Sequence, residues 1–152
     1  MDKFVYDLTH HLTYRIARLQ ARLNAQATEI LKQNTDISLS EWRILAILID
    51  PEIASQKDML KAMGLDKGQV SRTIKRLEAK NYIISDHDDA DNRKRQISLS
   101  DSGRELVVQI LPLMIKRQAY LKSPFNEDEL NSLYEFITKL EHKAGPIPGL
   151  KE

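Results

Sequence analysis

Five basic side chains, Lys67, Arg72, Lys75, Arg76 and Lys80, stand within residues 67–80 against Glu78 alone. At about 100° per residue on a helix, Gly68, Arg72, Lys75 and Arg76 share one face, with Gln69 and Ser71 on its flanks. Val70, Ile74 and Leu77 gather on the opposite face. Such a helix is apolar behind and rich in hydrogen-bond donors in front. Arg and Gln present donors matched to guanine and adenine edges, Ser and Lys engage phosphates, and Gly68 lets backbone approach backbone. The competing reading is a solvated charged face. A second cluster weighs against it: Arg93-Lys94-Arg95, preceded by Asp88, Asp89 and Asp91. An Arg at the tip of an arm suits the narrow, electronegative minor groove of DNA, and Asp91 stands two residues before Arg93, where it can hold that guanidinium.

Two elements must position these groups. Asp66 with Gln69 three residues on reads as a side-chain cap opening the helix, and Asn81 can close it in the left-handed conformation. Tyr82-Ile83-Ile84 and Arg95-Gln96-Ile97-Ser98-Leu99 read as two short strands, with the polar segment 86–94 between them. Upstream, a short helix begins at Ser55, with Asp58 three residues later, and ends at Gly64. A helix carrying Trp42, Leu45 and Ile49 precedes it, opened by Ser38 with Glu41 as a capping box, or alternatively by Ser40, and closed by Pro51. Two helices joined by a Gly-containing turn, with a charged hairpin behind them, form the layout of a winged helix-turn-helix.

Long helices flank this part. From about residue 2 to 33, Val5, Leu8, Leu12, Ile16, Leu19, Leu23 and Ile30 recur at three- and four-residue steps, a stripe too long for a small domain to hide unaided. Ser100 to Gly103 starts a helix through about Lys122, kinked at Pro112. Asn126 with Glu129 caps a last helix bearing Leu130, Leu133, Ile137 and Leu140. The fold class expected is mainly α with a small β-hairpin wing, as one domain of 152 residues. Its DNA-binding part is residues 36–100, its helical dimerisation part residues 1–35 and 101–145, and its tail residues 146–152.

Composition sets the bounds. The formal net charge is +1, which excludes a gross cationic excess but hides an uneven distribution. Residues 55–100 hold ten basic and seven acidic side chains, whereas residues 35–54 hold one basic and four acidic. Cysteine is absent, so there is no disulfide, thiolate metal site or nucleophilic thiol. The longest apolar run, Ile44 to Ile49, falls far short of the roughly 20 residues that span a bilayer. With no secretory signal pattern at the start, the expectation is a cytoplasmic protein without a membrane partner. His10, His11, His87 and His142 make no convincing ligand set, so no metal or other cofactor is expected. No phosphate-binding glycine loop, nucleophile elbow or nucleophile-base set points to an enzyme.

The chain resembles the MarR family of bacterial transcriptional regulators over nearly its whole length. The resemblance rests on Leu39-Ser40-Glu41-Trp42-Arg43-Ile44-Leu45, on the segment from Gly64 through Asp66-Lys67-Gly68-Gln69-Val70-Ser71-Arg72 to Glu78, and on Asp91-Asn92-Arg93 leading to Ile97-Ser98-Leu99-Ser100 and Gly103. It implies an obligate homodimer built from the first helix and the last two, reading palindromic double-stranded DNA with one helix per protomer, those helices about one DNA turn or roughly 34 Å apart. It also implies that Arg93 is the minor-groove residue of the wing. Three positions depart from the pattern: Asn92 stands where a first wing Arg is common, Ser85 where a basic residue often follows the first wing strand, and Asn81 where Gly is usual.

The same resemblance implies a repressor that releases DNA when a small, often aromatic, anion binds, the absence of cysteine removing control by thiol oxidation. His11, Arg15, Arg18 and Arg22 lie along one edge of the first stripe. His11 and Arg15, with Trp42, are the candidate effector-binding residues, because Arg pairs with carboxylates bidentately. In the competing reading these arginines pair instead with Asp36, Glu41, Asp50 or Glu52. The alternative function is a dimeric DNA-binding module without an effector, acting architecturally or through a protein partner.

Overall fold

A computed structural model describes residues 7–50, 66–86 and 96–146. The short helix expected between Ser55 and Gly64, and the hairpin tip with Asp91, Arg93, Lys94 and Arg95, lie outside them. The chain divides into two compact units, Met1–Leu113 and Met114–Glu152.

The first unit opens with a short 3-10 turn, Leu8–His10, capped by Asp7, whose carboxylate accepts hydrogen bonds from the Thr9 backbone and hydroxyl. His11 is extended, and α1 begins only after it, at Leu12–Asn34. The single helix expected from about residue 2 is therefore broken at His11. The Asp7 cap satisfies the Thr9 N–H locally, while the apolar spacing of Leu8 and Leu12 carries on across the break. Helix α2, Leu39–Ile47, starts from Ser38 through a complete capping box with Glu41, which decides between the two expected starts. Helix α3, Lys67–Ala79, starts from Asp66, whose carboxylate accepts from the Gln69 N–H at 2.9 Å.

Asn81 follows α3 at φ 59°, the left-handed stop that Asn tolerates better than most residues. Strands β1, Ile83–Asp86, and β2, Gln96–Leu99, pair antiparallel with Ile83 opposite Leu99 and Ser85 opposite Ile97. Along β2 burial alternates, with Ile97 and Leu99 inside. The core is formed by Ala27 and Leu31 of α1, Ile44 and Leu45 of α2, Val70, Ile74 and Leu77 of α3, Ile83 and Ile97 of the strands, and Leu106 and Ile110 beyond them. This apolar burial is the main term fixing α3 against α2 and β1.

Helix α4, Asp101–Lys122, runs from the first unit into the second and continues through Pro112, which removes one backbone donor at an exposed position. At its start the Tyr82 carbonyl oxygen lies 1.9 Å from where a Cβ on Gly103 would stand, so only glycine fits. In the second unit, α5, Glu127–Lys143, is capped by the expected box between Asn126 and Glu129. Its apolar residues Leu133, Phe136, Ile137 and Leu140 are exposed. No helix among the described residues is long and apolar enough to cross a membrane.

Candidate nucleic-acid interface

Helix α3 turns Val70, Thr73, Ile74 and Leu77 inward and leaves Lys67, Gly68, Gln69, Arg72 and Lys75 exposed, with Ser71 half-buried beside them. This is the division expected from the spacing of the apolar residues. A Cβ on Gly68 would stand 3.1 Å from an Asp66 carboxylate oxygen and 3.2 Å from an Arg72 guanidinium nitrogen, so the Arg72 side chain crosses the first turn of the helix. Arg72 thus lies at the helix N-terminus, where the unpaired N–H groups of the first turn also favour an anion. Lys67, Arg72 and Lys75 make no ion pair with a described residue.

The two remaining cations of the helix point elsewhere. Arg76 directs its Nε to the Glu41 carboxylate at 3.5 Å, and its Nη2 donates to the Thr73 hydroxyl at 3.1 Å. The Thr73 hydroxyl in turn donates to the Gln69 carbonyl at 2.9 Å. Lys80 donates to the Asp36 carbonyl at 2.7 Å and to Glu41 Oε2 at 3.4 Å, with Asp36 Oδ2 at 3.6 Å. Glu41 is 2% exposed. Burial alone would raise its carboxyl pKa, but the Ser38 N–H, the Ser38 hydroxyl and Lys80 outweigh burial and hold it below the usual glutamate range. Tyr82 donates to Asp36 Oδ1 at 3.0 Å, and burial, that hydrogen bond and the charges of Asp36 and Glu41 push its phenol above the usual range.

The network joining Glu41 and Asp36 to Arg76, Lys80 and Tyr82 is absent from the expectations drawn from the sequence. Their pairing follows from no local spacing, although the acidic excess of residues 35–54 facing the basic excess of residues 55–100 carries the signal. The pairing also bears on the α1 arginines, since Asp36 and Glu41, two of the partners considered for them, engage α3 and Tyr82.

Along α1, a hollow of about 220 Å³ has Thr9, Arg15, Arg18, Leu19 and Arg22 as its described lining. Arg15 lines this hollow together with Arg18 and Arg22. Trp42 is 7% exposed within the core, and His11 is the extended residue before α1. Neither is part of the lining. Asp7 and His10 pair at 2.6 Å, and the Thr9 hydroxyl, His10 and the Thr9 N–H hold the Asp7 carboxyl below its ordinary range. No group of three His, Asp or Glu suited to a metal ion occurs among the described residues.

Comparison with known proteins gives concordant results. A family model described as MarR family matches residues 37–94. The crystal structure of a MarR/EmrR family transcriptional regulator from Acinetobacter sp. ADP1 superposes with a TM-score of 0.83 at 32% identity, covering 91% of this chain and 97% of that one. BpsR of Bordetella bronchiseptica, whose DNA binding is regulated by 6-hydroxynicotinic acid, superposes with a TM-score of 0.68 at 25% identity over 84% of this chain and 98% of its own. An HTH-type transcriptional regulator of Bacillus cereus is 27% identical over 130 residues, 85% of each chain.

Proposed function

The chain belongs to the MarR family of DNA-binding transcription regulators, and from that premise we propose that it is a cytoplasmic homodimeric repressor that binds palindromic double-stranded DNA and releases it when a small aromatic carboxylate binds. The observation that carries the DNA reading is the exposed donor face of α3, with Lys67, Gln69, Arg72 and Lys75 outward over a buried apolar face. In this reading Gln69 and Arg72 contact base edges, Lys67, Ser71 and Lys75 contact phosphates, and Gly68 admits the sugar-phosphate backbone. Arg93, steadied by Asp91, enters the minor groove, and Lys94 and Arg95 add phosphate contacts that offset Asn92. Selection of duplexes from a random pool by the purified protein tests this. Arg72→Ala should broaden the selected sequence, whereas Arg93→Ala should weaken binding to all sequences alike. Unchanged affinity in both variants sinks the assignment.

The effector part is supported by the hollow against α1. Arg15, Arg18 and Arg22 line it with the apolar Leu19, a set of side chains that suits a flat anion with one apolar face. The relative BpsR answers to 6-hydroxynicotinic acid, a heteroaromatic carboxylate. A ligand there acts by favouring a protomer arrangement whose recognition helices no longer match successive major grooves. Titrating aromatic carboxylates into the protein and into Arg15→Ala decides the matter. Saturable binding lost in the variant supports the site, while no binding to either, or equal binding to both, removes it.

A further inference from the structure

We propose that Glu41 is a positioning residue for DNA binding: its buried carboxylate holds Arg76 and Lys80 and thereby fixes the roll of α3 on α2. As the third residue of α2, Glu41 closes a capping box, for which one oxygen accepting from the Ser38 N–H at 2.7 Å suffices. Capping does not require burial, yet this side chain is only 3% exposed. A buried carboxylate is costly unless opposite charge meets it. Among the described residues, the cations that meet it come from the last turn of α3 and the residue that follows it, Arg76 at Oε1 and Lys80 at Oε2. Oε1 accepts no hydrogen bond among the described residues, so the Arg76 charge is what compensates it there.

Two cations four residues apart, held on one fixed carboxylate, add a directional restraint on rotation of the helix about its axis to the packing of Val70, Ile74 and Leu77. Arg72 lies about 40° and Lys75 about 100° from Arg76 around the helix, and a change of roll carries both with it. A roll of about 20° moves the helix surface by roughly 2 Å, more than hydrogen bonds to base edges tolerate. The hydrogen bonds from Arg76 to Thr73 and from Thr73 to the Gln69 carbonyl extend the restraint toward the first turn. Arg76 therefore acts within the protein and not as a phosphate contact.

The inference rests on the DNA reading, and the experiment separates the two. The full-length protein, Arg76→Gln, Glu41→Gln and the double variant are titrated with a duplex that the unaltered protein selects from a random pool, over a salt series and well below their unfolding temperatures. The expected result is about tenfold weaker binding for each single variant, no further loss in the double variant, and an unchanged dependence on salt in all. The variants should also select broader sequences than the parent, which a loss of stability alone would not cause at that temperature. A slope of log K against log salt reduced by about one in Arg76→Gln marks a phosphate contact and overturns the proposal. So do additive losses, or parental affinity and base preference in either single variant. Arg76 is half-exposed, so Arg76→Gln decides the question by itself should Glu41→Gln not fold. If the unaltered protein selects no duplex, the DNA reading fails and this proposal with it.

Discussion

Gly103 shows how a single residue can limit the geometry around the recognition helix. Ser100 donates its N–H to the Tyr82 carbonyl at 3.1 Å, which draws the start of α4 onto the short segment that follows α3. A methyl group on Gly103 would enter that carbonyl oxygen, which is backbone and cannot rotate away. Gly103→Ala should therefore cost about 2 kcal/mol or more in urea unfolding, and an unchanged midpoint would show that the turn can shift freely. Glu41 gives a prediction of another kind. Its carboxyl is held below the usual range, so the folded state binds that proton less tightly than the unfolded chain does. The stabilisation from its charge is complete above the ordinary glutamate pKa of about 4.3 and disappears as the pH falls through the lower folded value. Unfolding measured from about pH 7 down to about pH 3 should show the stability gap between the parent and Glu41→Gln narrowing at the acid end. A constant gap would mean that Glu41 acts through shape and not through charge.

At the scale of elements, α3 depends on its first turn. The Asp66 cap is exposed and satisfies the Gln69 N–H from outside the helix, just where Lys67, Gly68 and Gln69 must be held for a groove. Asp66→Ala should cost about 1 kcal/mol and raise hydrogen exchange in the first turn of α3, and Asp66→Ser should restore most of it. Equal exchange in all three proteins would rule out a structural role for the cap. The three capped starts, at Ser38, Asp66 and Asn126, were legible in the sequence because a cap is a relation between residues three apart. So was the inward face of α3. The break at His11 was not, since the stripe running through Leu8 and Leu12 continues across it. The engagement of Arg76 and Lys80 by Glu41 was also hidden. It joins residues 35 and 39 positions apart, and a charge count over 67–80 gives every cation the same weight whether it faces solvent or a buried carboxylate.

The whole molecule poses a problem of unburied apolar surface. Leu12, Ile16 and Leu19 follow one another at helical spacing on α1 and are each at least 44% exposed, and α5 leaves Leu133, Phe136, Ile137 and Leu140 open as well. Exposed apolar residues scattered singly are ordinary, but stripes of this length along two helices call for a cover. The homodimer we propose supplies such a cover and also serves DNA binding, because joining two recognition helices makes the second half-site contact intramolecular. Ile137→Glu places a charge in the middle of the α5 stripe, where it is harmless in a monomer and severe in an apolar interface. The parent should sediment at twice 17.5 kDa, and the variant at the monomer mass with its helix content kept. Affinity for a palindromic duplex should then fall by roughly 10²-fold or more, while affinity for a single half-site changes little. A variant that remains dimeric would place the interface away from α5, and a monomer that binds the palindrome as tightly as the parent would remove dimerisation from the mechanism. The two results are independent, so sedimentation and binding measured on the same preparation locate the interface and establish whether DNA recognition depends on it.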